Sequence, residues 1–467
     1  MRIRLVFVPG RQARLDLLCP KTTPLILTGM LRNEGLFADY MDFGSLAAFS
    51  SHKKDGHLEG DNGKTSCHFW NRSDHSFSFR QTADTTQDAA IGTAILHAAP
   101  SLIVWYVKNR DDYHTVKSIS RYIRQQAPET HQTLIGPYIT CYGASALNNF
   151  SSIDTGITGD QLSALIALSE NIHTPESWGR IPGLIFHNRS GITCSTKNIY
   201  PVRNLLPPDF AAFSCQNDCP TKQGQFSLYP LSFVCNYSPE YGLKPGAIRP
   251  LQKSVPHLFD EMQTLNTCYG AGAFHIEAPH VAAPALERFA DTLLENNFMT
   301  LYSLGGLTEA FSAPLADRLF ASGCRAVGFH TPSGSQRLLE DFYGCNMSIS
   351  ALRATLRHCR AAGLFTVAHL RYPCPHDDYH SRAETELFLE ACRPDGVTIE
   401  APELMPESIW FTRAPEYGFL LDHRSFQHWI ECSPKQRGAP PYRMQGWKKG
   451  HAEEARGTLE AMAESLG

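Results

Sequence analysis

At 467 residues, 42% of them hydrophobic, the chain is too long for one ordinary core and suits two domains plus a tail. Its net charge of -4 offers no electrostatic footprint for nucleic acid or an anionic membrane surface, and no apolar run approaches the roughly 20 residues that span a bilayer. Fourteen cysteines, scattered and without a CxxC pair, are not a small disulfide scaffold; with no secretion signal in MRIRLVFVPG, reduced thiols and a cytoplasmic location are expected.

The first third alternates apolar runs with helical spacing, which argues for βαβ units around a parallel sheet. Arg2–Val8 reads as a strand closing on Pro9-Gly10. A helix over Leu25–Glu34 follows and stops at Gly35, and Leu36–Phe43 is a second strand. Residues 51–88 are polar and carry four histidines, so they read as a long loop. Then come a helix at Ala89–Ala98, a buried strand at Ser101–Val107 and a helix at Val116–Gln126. A strand at Leu134–Thr140, a helix at Ala144–Asn149, a strand at Ile153–Thr158 and a helix at Gln161–Glu170 complete the unit. Five strands with helices between them predict a flavodoxin-like, doubly wound domain over residues 1–170, with ligands beyond the carboxyl ends of the strands.

Residues 171–225 are rich in Pro, Gly, Asn and Ser and read as a linker. Alternation resumes over 226–430. Ser232–Cys235, Phe274–Ala278, Met299–Ser303, Ala326–His330, Thr366–Leu370 and Gly396–Glu400 are strand-like. Pro284–Asn296, Ala313–Ser322, Ser350–Ala362 and Ser381–Cys392 are helical. Six βα repeats predict a partial (β/α) barrel rather than an eightfold one. Residues 431–467 form a charged tail, helical from Ala452.

Several phrases, taken in order, resemble the cobalamin-dependent radical S-adenosylmethionine (SAM) enzymes. PLILTGMLRNEGLFADYMDF is similar to the stretch after the first strand, PSLIVWYV and LIGPYIT to the third and fourth strands, and SSIDTGITGDQLSALIAL to the fifth strand's turn and helix. IPGLIFHNRSGI and LLPPDF resemble the connection between domains; SGCRAVGFHTPSGSQRLL and CRAAGLFTVAHLRYPCP resemble the later barrel strands. The resemblance implies a cobalamin-binding domain followed by a radical-SAM-type barrel. It departs at YPLSFVCNYSPEYG, where the family has CxxxCxxC, three thiolates that leave one iron open for SAM. The register here reads Cys235, Pro239 and Gly242, so no [4Fe–4S] cluster is expected unless Cys215 and Cys219 join Cys235 in a displaced one.

On this resemblance the cobalamin pocket is expected at Pro9, Gly10, Tyr106, Val107, Asn109, Gly136, Pro137, Tyr138, Thr140, Thr158 and Gly159, against the alternative that these are simply turn residues. Asp55-Gly56-His57-Leu58-Glu59-Gly60 spells DxHxxG, the motif that supplies a lower axial histidine, but it follows the second strand instead of the first, so no axial ligand is assigned. SAM binding is expected at Glu277, Ser333, Gly334 and Ser335, with a helix N-cap as the competing role for the serines. His369, Arg371, His376, Asp377, Asp378 and His380 crowd HLRYPCPHDDYH, but their spacing fits no standard zinc pattern and no metal is assigned. These expectations converge on a cobalamin-dependent enzyme acting on SAM by nonradical chemistry: methyl or alkyl transfer to a small molecule, or cyclisation of SAM's aminobutyrate chain, with an external reductant. A catalytically inactive cobalamin-binding partner or sensor, and a radical enzyme with a displaced cluster, are the alternatives.

Overall fold

A computed structural model describes residues 1–9, 21–43, 85–148, 150–188, 191–195, 206–212, 229–233, 253–345, 347–406, 408–432, 441–448 and 450–466. Gly10, the DxHxxG motif, and Cys215, Cys219, Cys235, Pro239 and Gly242 lie outside the described residues. The described chain forms two compact units, one of residues 1–212 and 424–432, the other of 229–423 and 441–466. None of its helices is long and apolar enough to cross a membrane.

The first unit is built on strands β1 (Arg2–Phe7), β2 (Phe37–Asp42), β3 (Leu102–Tyr106), β4 (His131–Ile135), β5 (Thr155–Ile157), β6 (Leu184–Asn188) and β7 (Gly191–Cys194), in the order β2-β1-β3-β4-β5-β6-β7. The first five run parallel in the 2-1-3-4-5 order of a flavodoxin-like sheet. Helices α1 (Thr22–Asn33), α2 (Thr85–Leu96), α3 (Arg110–Gln126), α4 (Pro137–Tyr142) and α5 (Gln161–Glu170) make the connections. The direction of winding reverses after β2, so right-handed crossovers put α1 and α5 on one face and α2 and α3 on the other.

Three local readings change. The fourth strand ends at Ile135, and residues 137–142 are helix, because Gly136 turns the chain at φ +105° and Pro137 opens a helix. The same strand begins earlier, at His131, where buried polar side chains find partners across the unit: Trp105 Nε1 donates to Gln132 Oε1 at 3.1 Å, Gln132 Nε2 donates to Ser152 O at 3.0 Å, and His131 Nε2 lies 3.0 Å from Thr155 Oγ1. Residues 184–188 and 191–194, expected in a linker, pair antiparallel with each other, and the first of them pairs antiparallel with β5.

The second unit holds six parallel strands, β8 (Tyr229–Ser232), β9 (Ala273–Glu277), β10 (Leu301–Leu307), β11 (Cys324–His330), β12 (Phe365–Arg371) and β13 (Gly396–Glu400), each paired with its neighbour in sequence. They are joined by helices α6 (Val255–Tyr269), α7 (Ala283–Glu295), α8 (Ala313–Ala321), α9 (Gln336–Asp341), α10 (Ile349–Ala361) and α11 (Tyr379–Cys392). This is the partial barrel the sequence predicts. A short ribbon of β14 (Phe419–Leu421) and β15 (Tyr442–Met444) follows, and the final helix α12 (His451–Leu466) packs on β13 and α11. That helix, read as part of a tail, is an integral part of the second unit.

Candidate functional site

In the first unit, the described members of the expected cobalamin set, all but Gly10, cluster at the carboxyl ends of β1, β3, β4 and β5, beside the β1/β3 reversal. Pro9, Tyr106, Val107, Gly136 and Tyr138 are buried there; Asn109 is exposed, and Pro137, Thr140, Thr158 and Gly159 are half-buried. Several carry structural duties of their own. Asn109 caps α3, accepting from Asp112 N at 3.0 Å while Asp112 accepts from Asn109 N. Tyr138 stacks between Tyr113 and Tyr142, with centroids 4.7 and 4.4 Å away. Thr140 donates to Gly136 O at 2.9 Å, and Thr158 to Gly183 O at 3.3 Å. A Cβ on Gly136 would lie 2.7 Å from Val107 O, so this glycine answers to the protein's own packing. The half-buried residues suit a flat ligand lying across the strand ends, not one wedged against Gly136.

In the second unit, side-chain alternation and strand register combine. The register pairs His275 with Ser303, Glu277 with Gly305, His330 with His369, His369 with Thr398 and Arg371 with Glu400. These side chains therefore share the inner face, while Phe274, Ile276, Leu304, Phe329 and Ala368 point to the helices and are buried. A closed barrel fills its interior with branched apolar residues. Among the described residues this inner face is instead polar and hollow. His275 bridges Ser303 Oγ at 2.8 Å and Glu277 Oε1 at 3.3 Å through its two ring nitrogens. His369 Nδ1 lies 2.7 Å from Thr398 Oγ1, and its ring is 5.2 Å from that of His330. Glycine makes the room: a Cβ on Gly305 would be 3.0 Å from His275, and one on Gly328 3.2 Å from His369 Nε2.

His330, Pro332, His369, Leu370, Arg371, Thr398 and Glu400 line a cavity of about 120 Å³ at the carboxyl ends of β11–β13. Burial, reinforced by the neighbouring His369, pushes the His330 imidazole down to about 4; burial also lowers His369, opposed by Glu400 and Glu277. Both rings are therefore neutral near pH 7.

The expected SAM residues divide. Glu277 stands on the inner face, half-exposed and held by His275. Ser333, Gly334 and Ser335 are buried under α11: Gly334 N donates to Thr385 Oγ1 at 3.1 Å, and a Cβ there would meet Thr385 Cα at 2.6 Å. Ser335 occupies the N-cap position of α9, yet its side chain makes no capping bond. In the loop after β12, Asp378 caps α11 and Asp377 binds Cys374 N at 2.7 Å and Ser381 Oγ at 2.8 Å, so both carboxylates hold the turn. Burial raises Asp377 to about 6. Among the described residues no group of three His, Cys, Asp or Glu side chains is arranged to hold a metal ion. Sequence reading missed His275, Ser303, Thr398 and Glu400 as site residues. Alternation places His275 with Glu277 within one strand, but only the register joins strands to each other.

Lys253 N donates to Phe233 O at 2.7 Å, and the Lys253 ammonium sits on both oxygens of the buried Glu261 at 2.8 Å.

No protein-family model matches the sequence, and no curated protein sequence matches it. Solved structures do. The radical SAM methyltransferase TsrM from Kitasatospora setae, with cobalamin and a [4Fe–4S] cluster bound, aligns over 100% of this chain and 89% of its own at a TM-score of 0.67 and 16% identity. A second TsrM structure, with tryptophan substrate and the SAM analogue aza-SAM, covers 89% and 76% at 0.63 and 16% identity. The cobalamin-dependent SAM radical enzyme OxsB covers 99% of this chain and 66% of its own at 0.64 and 11% identity. The order of strands in both units and these alignments give one conclusion: the chain has the fold of the cobalamin-dependent radical SAM enzymes.

Proposed function

We propose that the chain is an enzyme that binds cobalamin at the strand ends of the first unit and SAM on the inner face of the second, and that it moves a methyl or alkyl group, or cyclises SAM's aminobutyrate chain, without a SAM-derived radical. The observation that carries this reading is the polar, hollow inner face, in a fold shared with enzymes named for cobalamin and SAM. The nonradical part rests on the sequence register Cys235, Pro239, Gly242, which leaves one thiolate where a site-differentiated cluster needs three. When bound and reduced by an external donor, cobalamin supplies a two-electron nucleophile for a carbon beside the sulfonium.

The chain's own residues orient and neutralise. Glu277, fixed by His275 and through it by Ser303, presents a carboxylate to a cationic ligand on the inner face. His330 and His369, neutral near pH 7, can accept a proton from an acceptor molecule without first losing one. In the first unit, Pro137, Thr140, Thr158 and Gly159 form the surface on which a corrin would rest.

The test is anaerobic turnover of the full chain with cobalamin, SAM and a chemical reductant, with products separated and iron quantified. S-adenosylhomocysteine marks methyl transfer, and methylthioadenosine marks attack on the aminobutyrate chain. Cys215→Ala, Cys219→Ala and Cys235→Ala retain the activity if no cluster takes part. Release of 5′-deoxyadenosine in step with product, lost together with iron in these variants, refutes the nonradical reading. SAM binding with no turnover leaves an inactive partner or sensor.

A further inference from the structure

At the opposite end of the barrel strands from His330, His369 and Glu400 lies a second hollow. It takes up about 360 Å³ between the amino ends of β10 and β11 and the carboxyl ends of α7 and α8, a volume within the range of small-molecule sites. Arg325, in its wall, stands roughly 16 Å down β11 from His330. The walls are mostly apolar. Leu293 is buried, while Leu294, Leu301 and Met299 are 41%, 47% and 91% exposed, so three large apolar side chains gather around one hollow in contact with water. Apolar surface clustered in this way, not scattered singly, marks a binding site.

The hydroxyls of the lining are engaged within the protein. Thr300 Oγ1 donates to Gly272 O at 3.3 Å, and Ser322 Oγ donates to Leu319 O at 2.9 Å and lies 2.7 Å from the Tyr302 hydroxyl. Among the described lining residues one is charged, Arg325. Its Nη1 donates to Phe320 O at 2.9 Å and to Cys324 O at 2.7 Å, and the guanidinium lies 4.4 Å from the centroid of the Phe320 ring. These contacts fix the planar fork. Its Nε and Nη2 hydrogens have no hydrogen-bond partner among the described residues, and no described carboxylate pairs with it. A wholly apolar ligand here would strip water from Arg325 without replacing it, and a small anion would leave the apolar rim wet. A ligand with one carboxylate and an aliphatic body satisfies both.

We infer that this hollow binds an aliphatic monocarboxylate, its carboxylate on the Nε and Nη2 edge of Arg325 and its chain against Leu293, Leu294, Met299 and Leu301. At about 30 Å³ for each water-sized group, the volume takes a chain of roughly ten heavy atoms. An unbranched, adaptable methionine at the rim suits such a chain. The site needs neither cobalamin nor SAM and does not rest on the proposed function.

The test titrates the full chain, free of both, into dansylaminoundecanoate, whose emission rises and moves to the blue on leaving water. The expected result is saturable uptake that decanoate reverses and that decanol reverses about tenfold less well. Arg325→Gln is expected to weaken decanoate about tenfold, the worth of a charge-assisted hydrogen bond, and to leave decanol unchanged. Leu294→Glu, which sets a like charge at the rim, weakens decanoate more than decanol. Both positions are exposed, and thermal melts establish that the variants are folded. Absence of saturable uptake by wild type overturns the inference, as does an Arg325→Gln variant that holds decanoate as tightly as wild type or loses decanol to the same extent. Sedimentation at the same concentrations covers another occupant: a wild-type dimer that Met299→Glu dissociates shows this face closed between two copies, and the inference fails.

Discussion

Gly136 shows how one residue can carry two explanations. Sequence reasoning placed it in the cobalamin pocket because glycine lets a bulky ligand approach the backbone. Its geometry supplies a different reason: φ +105° with ψ -174° lies in a region that essentially only glycine occupies, and the Cβ direction is closed by Val107 O at 2.7 Å. Gly136→Ala is therefore expected to lower stability by about 1–3 kcal/mol in cobalamin-free protein. The urea midpoint should fall with no change in slope. An unmoved midpoint would mean that the turn relaxes at no cost and that ligand approach is the better account. Loss of corrinoid in a bulkier Gly136 variant is ambiguous for the same reason. Asn109 is ambiguous too, because removing its side chain removes a helix cap.

At the scale of elements, helix α6 is instructive. It begins with Ser254 accepting from His257 N, carries Pro256 in its first turn and ends on Gly270 in the left-handed conformation, three signals present in the sequence. It went unread because it follows a stretch without clear periodicity. Its buried anchor is Lys253–Glu261, with side chains 3% and 2% exposed and His257 Nε2 3.2 Å from the same carboxylate. Glu261→Ala leaves the Lys253 ammonium buried without its counterion and should cost about 3–5 kcal/mol. The double variant Lys253→Met, Glu261→Leu, which removes both charges, should cost far less. Equal losses in the single and double variants, measured by urea unfolding, would rule out an uncompensated charge as the cause.

Legibility follows the same physics. Strands β9, β11, β12 and β13 were placed within a residue or two because their helix-facing residues are apolar. Strand β4 was misplaced because its buried residues His131, Gln132 and Thr133 are polar, and hydropathy cannot see hydrogen bonds made to distant residues. The candidate site was half-legible. Glu277 stood at a strand end, but Thr398 and Glu400 gain meaning only from the register with His369 and Arg371.

At the scale of the whole molecule, buried titrating groups set how stability responds to acid. Burial pushes His131, enclosed by Thr155 and the edge of Trp178, down to about 4, and pushes His330 to the same value. In the unfolded chain both titrate near 6.5. Between about pH 6.5 and 4 the unfolded state binds protons that the native state refuses, so stability is full above 6.5 and falls as the pH drops through this window. His131 alone can account for roughly 3 kcal/mol. Asp377 opposes the trend. Its native value near 6 exceeds the unfolded 3.8, so the native state binds a proton first and gains stability as pH falls from 6 to 4. Glu261, raised by its own burial, opposes the trend in the same way; three lowered histidines against these two carboxyls leave acid destabilisation as the net expectation. Urea midpoints from pH 7.5 to 4.5 should decline, and His131→Gln, which removes one titrating group, should flatten the decline. A midpoint that holds steady or rises toward pH 4.5 would show that Asp377 and its like dominate, and that the buried imidazoles are less shielded than their packing implies.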